Sequence, residues 1–239
     1  PVTFQFSEDV TGFVIGDITV GNGNAGNFVA VDGDTYTAEI TPTAQGAVTV
    51  NVAAAAAQDV DTNDNIAATQ LSRTYDSLAP TVAVTSSSIT PTNDSPFSIT
   101  IEFSETVTGF AIGDLTVTNA TAGNFVAVDG DTYTADITPT ADGAVTVNVA
   151  GSVAVDAAGN NNTAATQLSR TYDNTVPTVS ITAPGSAIIY DNRTSFALAG
   201  ACSENGRAVT LSATSSGGGA AVTASPNCVG GAWSASLNM

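Results

Sequence analysis

The 239-residue chain contains no lysine and no histidine, so four arginines are its only cationic side chains. Without histidine there is no Ser-His-Asp or Cys-His nucleophile and no HExxH zinc site. Without lysine there is no Schiff-base catalysis and no P-loop, whose lysine reaches the phosphates. Two carboxylates could still work as an acid and base, but no such pair stands out, so the chain does not read as an enzyme. The arginines are outnumbered by 22 acidic residues, giving a formal net charge of −18. With no basic patch to displace the counterions of a phosphate backbone, a nucleic-acid partner is not expected. No apolar run approaches the roughly 18 residues of a membrane span, and no basic-then-apolar leader opens the chain. Direct membrane insertion is therefore not expected either. Beginning at Pro1 and ending in mid-pattern at Asn238-Met239, the sequence reads as a piece of something larger.

Cysteine is scarce too. Cys202 and Cys228 are the only two, both in the last quarter of the chain. A pair confined to one segment suits one disulfide better than a metal site, which would need further soft ligands, and a disulfide favours an oxidising, extracellular setting. Two buried free thiols are the alternative reading.

What the chain does have is repetition. GNFVAVDGDTYTA occupies residues 26 to 38 and recurs unchanged at 123 to 135, an offset of 97 residues. FSE, TGF and RTYD recur at the same offset, and 55 of the 76 aligned positions match with no insertion. Tandem units look like this, and identity that reaches exposed turns indicates recent duplication, since packing alone would fix only the core.

Each unit reads as β throughout. Phe97, Ile99, Ile101 and Phe103 alternate with Ser98, Thr100 and Glu102, the period-two pattern of a half-buried strand, and Val145, Val147 and Val149 repeat it. Asp129-Gly130 lies between two such runs as a hairpin signal, on the expectation that the glycine takes a positive φ. No segment carries a sustained helical stripe. The pattern predicts seven strands at 80–86, 97–103, 115–118, 123–128, 132–138, 144–150 and 164–172, a number and spacing that fit an immunoglobulin-like sandwich. The fold class is thus all-β, with tandem immunoglobulin-like β-sandwiches in an elongated array. Residues 1–76 form a repeat lacking its first strand, 77–173 a complete repeat, and 174–239 a module of another type that stops inside a strand. Pro80 and Pro177 stiffen the short linkers between them.

FSExVTGFxIGDxTV, the YTAxITPTAxGAVTVNV block, the DAAGN loop and the APT entry strand together resemble the bacterial immunoglobulin-like repeats of very large surface adhesins. CSENG through CVGGAWSASL is similar to a related, disulfide-containing repeat of that kind. The resemblance implies a secreted, cell-attached extender on the bacterial surface. Its partners would be neighbouring domains of the same long chain and other copies in a filament, and in several such relatives calcium rigidifies the joints. Residues 54–66 depart from the DAAGN form.

Topology carries the calcium expectation to particular residues. If the strands alternate up and down, loops 104–114, 129–131 and 151–163 share one end of the domain with the incoming linker. That end gathers Asp76, Glu105, Asp114, Asp129, Asp131 and Asp156, whereas the opposite end receives only Asp94 and Asp142. Clustered carboxylates repel unless a cation sits between them, and calcium takes oxygen ligands of this kind. The expected site uses Glu105, Asp114 and Asp156, with Asp76 bridging from the preceding repeat. Glu8, Asp17 and Asp59 are the equivalents in the first repeat, and Asp173 with Glu204 in the third module. The competing reading is that these residues are turn formers that solvate well.

Other motifs have plainer readings. DTNDN at 61–65 resembles the cadherin calcium motif but lies too far before the next domain, and reads as a polar loop. Asn93, Asn119, Asn161 and Asn192 head glycosylation-type triplets, incidental in a bacterial protein. Phe103, Phe110 and Phe125 are expected in the core, Tyr75 and Tyr172 beneath the joints, and Arg73, Arg170, Arg193 and Arg207 paired with nearby acids. Two functions rival the extender. One is a glycan- or protein-binding module, which needs exposed aromatics at one end; the other is a fibre in which a neighbour donates the absent first strand.

Overall fold

The computed structural model of the chain describes residues 1–182, 195–214 and 220–238. It divides into two compact units, Pro1–Tyr172 and Asp173–Met239. The first holds both copies of the 97-residue repeat. In the first copy the strands are β1 (Val2–Gln5), β2 (Ile18–Gly21), β3 (Gly23–Ala30), β4 (Thr35–Pro42), β5 (Gly46–Val52) and β6 (Leu71–Tyr75). The second has β7 (Val82–Thr85), β8 (Phe97–Phe103), β9 (Leu115–Thr118), β10 (Ala120–Ala127), β11 (Thr132–Pro139), β12 (Gly143–Val149) and β13 (Leu168–Tyr172).

The second repeat is a closed sandwich. One sheet runs β7-β8-β11-β10 and the other β9-β12-β13, which is the order of a seven-stranded, constant-type immunoglobulin domain. All pairings are antiparallel. The alternation read from the sequence is what buries it: Phe97, Ile99, Ile101 and Phe103 of β8 point inward with Tyr133, Ala135 and Ile137 of β11 against Val145, Val147 and Val149 of β12. Above this layer Phe110 packs edge-on to Phe103 and Tyr133, at ring-centroid distances of 5.2 and 5.0 Å. The geometry is the one favoured by the ring quadrupoles. The first repeat has the same two sheets less one strand, β1-β4-β3 and β2-β5-β6.

The Asp129-Gly130 hairpin forms between β10 and β11, but for a different reason from the one expected. Gly130 is not among the positive-φ residues. A Cβ there would instead come within 2.9 Å of the Thr106 side chain. The turn is held by Asp129, whose Oδ1 accepts from the N–H groups of Thr132 (2.8 Å) and Asp131 (3.2 Å). Glycine here lets Thr106 approach closely, and aspartate holds the turn.

In the second unit β14 (Ser195–Ala201) pairs antiparallel with β17 (Ala232–Asn238), and β15 (Leu211–Ala213) with β16 (Val222–Ala224). Cys202 and Cys228 form a disulfide with Cα atoms 6.0 Å apart, so the free-thiol alternative falls. Trp233 is buried and donates its indole N–H to Ser180 O at 3.1 Å. The triplet at Asn192 and Arg193 lie outside the described residues.

Two outcomes test this description. Ile137 has no exposed surface, so Ile137→Ala is expected to destabilise its repeat by about 2–5 kcal/mol. Its half-buried counterpart Ile40 should lose distinctly less. Urea-dependent hydrogen exchange of each repeat's own strand amides distinguishes the two, and equal losses would contradict the difference in closure. Replacing both cysteines by serine releases a loop of 26 residues, with an expected loss of about 3.5 kcal/mol on the loop-entropy model. That loss should fall on the second unit, leaving the first unit's unfolding transition in place.

Candidate metal site at the repeat junction

The loops that follow β8, β10 and β12 meet at one end of the second repeat because their backbones bond to one another. Val107 N–H donates to Gly130 O (2.9 Å), Phe103 N–H to Asp131 O (2.9 Å), and Thr108 and Val155 exchange N–H to O bonds at 2.8 and 3.0 Å. Asn162, buried between β12 and β13, organises the last loop. Its Oδ1 accepts from Val153 and Ala154 N–H (2.9 and 2.8 Å), and its Nδ2 donates to Ala150 O and Thr163 O (2.9 and 2.8 Å). Asn65, the last residue of DTNDN, makes the same four bonds in the first repeat, to Ala56, Ala57, Ala53 and Ile66. The loop whose sequence diverges most thus keeps its central asparagine, a signal present in the 97-residue alignment but hidden by its neighbours.

At this end Asp76, Glu105 and Asp156 each bring a carboxylate oxygen to within 4.8 Å of the other two, the one such acidic group among the described residues. Asp76 belongs to the linker. Its Oδ1 accepts from Gln45 Nε2 (2.9 Å) and Leu78 N–H (3.0 Å), while Gln45 Oε1 accepts from Ser77 N–H (2.9 Å). On the other side Asn160 Nδ2 donates to Asp76 O at 3.3 Å and to Asp156 Oδ2 at 2.8 Å. The linker is therefore hydrogen-bonded to both repeats. Gln45 did not stand out in the sequence, and Asn160 did so only as the last letter of the DAAGN loop.

The remaining candidate acids are engaged locally. Asp114 Oδ2 accepts from Ala111 N–H (2.8 Å) and Asp17 Oδ2 from Val14 N–H (2.9 Å), each closing a short 3-10 turn. Asp59 accepts from the backbone and side chain of Asn63 (2.8 and 2.9 Å), and Glu8 is exposed. In the second unit Asp173 Oδ1 accepts from Thr175 N–H (3.0 Å), and Glu204 pairs with Arg207 at 3.4 Å. The expectation that every arginine meets an acid is corrected here. Arg170 donates Nε to Ser88 O and Nη2 to Ser86 O, both at 2.9 Å, and Arg73 Nη1 donates to Ser72 O at 3.0 Å. The guanidinium N–H groups of Arg170 are thus taken by three backbone carbonyls, those of Ser86, Ser88 and Ser169.

Electrostatics at the cluster follow from these contacts. Glu105 loses solvation and faces the charges of Asp156 and Asp76, so its pKa is raised. Burial pushes Asp156 the same way, but bonds from Asn160 and from the N–H groups of Asn160, Ala158 and Gly159 outweigh it and leave its pKa lowered. One carboxylate is thus held ionised while its neighbour resists ionisation. The donor set, all hard oxygen with an excess of negative charge, fits calcium; six to eight ligands would require backbone carbonyls and water as well. Most aromatic rings of the repeats are spent on packing, Phe125 stacking on Tyr133 at 5.6 Å; Tyr172 is buried as expected, whereas Tyr75 is exposed. Among the described residues no helix is long and apolar enough to cross a membrane.

A sandwich of this strand order, with a preceding copy that has the same two sheets less one strand, defines an immunoglobulin-like repeat protein. The family model of the bacterial Ig-like domain matches residues 1–75 and 76–172, and the chain belongs to that family. Its modules are structural, and the chain is not an enzyme. No curated protein sequence matches it. Among solved structures, the bacterial integrin-binding protein invasin aligns over all of this chain and 48% of its own, at 16% identity and a TM-score of 0.35. Yersinia pseudotuberculosis InvD aligns over all of this chain and 73% of its own, at 16% identity and a TM-score of 0.36. The chain therefore spans about half the length of the invasin structure.

The two perturbed carboxyls give opposite pH signatures. A raised folded pKa means that ionised Glu105 costs stability: the cost is absent below about pH 4.3, the glutamate value in an unfolded chain. It grows as the pH rises through the folded value and is constant above it. Asp156 stabilises above the unfolded aspartate value, and its contribution is lost as the pH falls through its lowered folded value. In chelator, Glu105→Gln should raise the thermal midpoint at pH 7 and leave it unchanged near pH 3.5, whereas Asp156→Asn should lower it at pH 7. Calorimetry at the two pH values checks both signs.

Proposed function

We propose that the chain is a structural extender segment of an extracellular bacterial adhesin or surface filament, working by reach and stiffness. The observation that carries this reading is the linker at residues 76–78, bonded to Gln45 on one side and to Asn160 on the other. A linker tied in this way cannot act as a free swivel without breaking those bonds. The absence of lysine and histidine, the disulfide and the family membership all accord with a passive extracellular part.

Calcium is the second element of the proposal. Asp76, Glu105 and Asp156 would hold it, and its charge would convert the mutual repulsion of the three carboxylates into a clamp between linker and loops. The glycan-binding alternative has less support, because Phe103, Phe110 and Tyr133 are buried and Trp233 is too.

The expected outcome is that millimolar calcium raises the melting temperature of the first unit and restricts relative motion of its two repeats, read by residual dipolar couplings. The double variant Asp76→Asn, Glu105→Gln should be indifferent to calcium. An unchanged melting curve on chelation would remove calcium from the proposal. Free reorientation of the repeats with and without calcium would remove the extender reading itself.

A further inference from the structure

In each repeat one strand at the edge of a sheet carries an apolar run on its open side. Among the described residues β3 pairs only with β4 and β10 only with β11. Phe-Val-Ala-Val closes both strands, at residues 28–31 and 125–128. Val29, Val31, Val126 and Val128 are each more than half exposed. Val31 N–H donates to Thr35 O and Val128 N–H to Thr132 O, both at 2.9 Å, so by strand alternation the N–H groups of Ala30 and Ala127 turn away from the sheet. An apolar edge of this kind is a template for another copy of itself. The chain carries it twice, in identical sequence.

In both copies that edge is broken at the same place. The register of β10 on β11 steps from Gly123 opposite Asp136 to Val126 opposite Thr134, so Asn124 and Phe125 face the single residue Ala135. β3 makes the same step between Gly26 and Val29. Asn27 and Asn124 take up the extra residue in the left-handed region, at φ 45° and 47°, where asparagine is tolerated and β-branched residues are not. Each is pinned by its side chain: Asn124 Nδ2 donates to Asp136 Oδ2 (2.9 Å) and Asn27 Nδ2 to Glu39 Oε2 (2.6 Å). The acid differs between the copies, yet the bond is kept. The core does not require the bulge. With Asn124 taken out, Phe125 would stand opposite Ala135, still on the inner face with Tyr133, and Val126 would stay opposite Thr134. What the extra residue adds is a bend and a stronger twist in the open edge.

We propose that the bulges at Asn27 and Asn124 guard these edges, keeping the Phe-Val-Ala-Val strands of different copies of the chain from pairing sideways. What they exclude is the same edge of a second copy, whose sequence and exposed N–H groups match it. The net charge of −18 also keeps copies apart, but salt screens that repulsion, whereas a bent backbone acts at any ionic strength. The inference rests on the registers of β3 and β10 and stands apart from the calcium reading of the junction.

Deleting Asn27 and Asn124 from the intact chain, in high salt, is the test. The deletion variant is expected to self-associate with rising concentration in the ultracentrifuge, with hydrogen exchange of the Ala30 and Ala127 amides slowed about tenfold relative to the unaltered chain. The variant Asn27→Gly, Asn124→Gly keeps the left-handed backbone and should sediment like the unaltered chain. Adding Ala30→Pro and Ala127→Pro to the deletion variant removes the N–H groups at the edge without breaking a ladder bond, and should return it to a monomer. A deletion variant that sediments like the unaltered chain overturns the proposal. So does association that survives the two prolines, the mark of an unfolded repeat and not of a paired edge. Equal association of the glycine variant, or protection of the same two amides in the unaltered chain as its concentration rises, overturns it as well.

Discussion

A β-sheet with one apolar face needs a cover, and in each repeat that cover is a second sheet whose valines interlock with it. Every other feature follows from this closure. Ile99, Ile101 and Ile137 on one side and Val145, Val147 and Val149 on the other are almost wholly buried, so the seven strands of the second repeat share one core. Its loops are then fixed at the two ends, and the chemistry available to them is decided by which end each falls at. The first repeat shows the same requirement by its exception: with one strand fewer, Phe4, Phe6 and Leu71 are only half covered.

Closure also explains how loops of different sequence adopt one shape. Residues 53–65 and 150–162 share few letters, yet Asn65 and Asn162 sit in equivalent places and satisfy the same four backbone groups. A loop passing over the end of a sandwich leaves N–H and C=O groups that no strand pairs, and one amide with two donors and an acceptor oxygen answers them, buried at Asn162 and half-buried at Asn65. Once that scaffold holds, the tips can vary. Asp59 and Asp156 then stand at equivalent places, each bonded to the residue four positions on, Asn63 or Asn160.

Most acids near the junction turn out to be parts of turns. Asp114, Asp17 and Asp129 each accept backbone N–H bonds within their own loop. Turn formation and cation binding draw on the same residue types, so composition alone does not separate them. What distinguishes Asp76, Glu105 and Asp156 is that they come from three segments far apart in sequence and converge. Gln45, which secures the linker carrying Asp76, is an ordinary loop residue by any local criterion, and Asn160, though part of the DAAGN loop, gives no local sign that it reaches the linker.

The sequence by itself determined the all-β class, the two copies at an offset of 97, the position of nearly every strand in the complete repeat, and the exclusion of histidine- and lysine-dependent chemistry. Burial acts on each side chain separately, so a period-two alternation states directly which face is covered, and an absent residue type is absent in any fold. Only the tertiary structure separated Asp76, Glu105 and Asp156, which meet, from Asp114, Asp129 and Asp131, which the strand order places at the same end, and showed that Arg170 holds backbone carbonyls in place of an acid and that Gly130 lies close to Thr106 without a positive φ. Those outcomes depend on distances between loops brought together by packing, and no local pattern along the chain encodes a distance between segments 80 residues apart, such as Asp76 and Asp156.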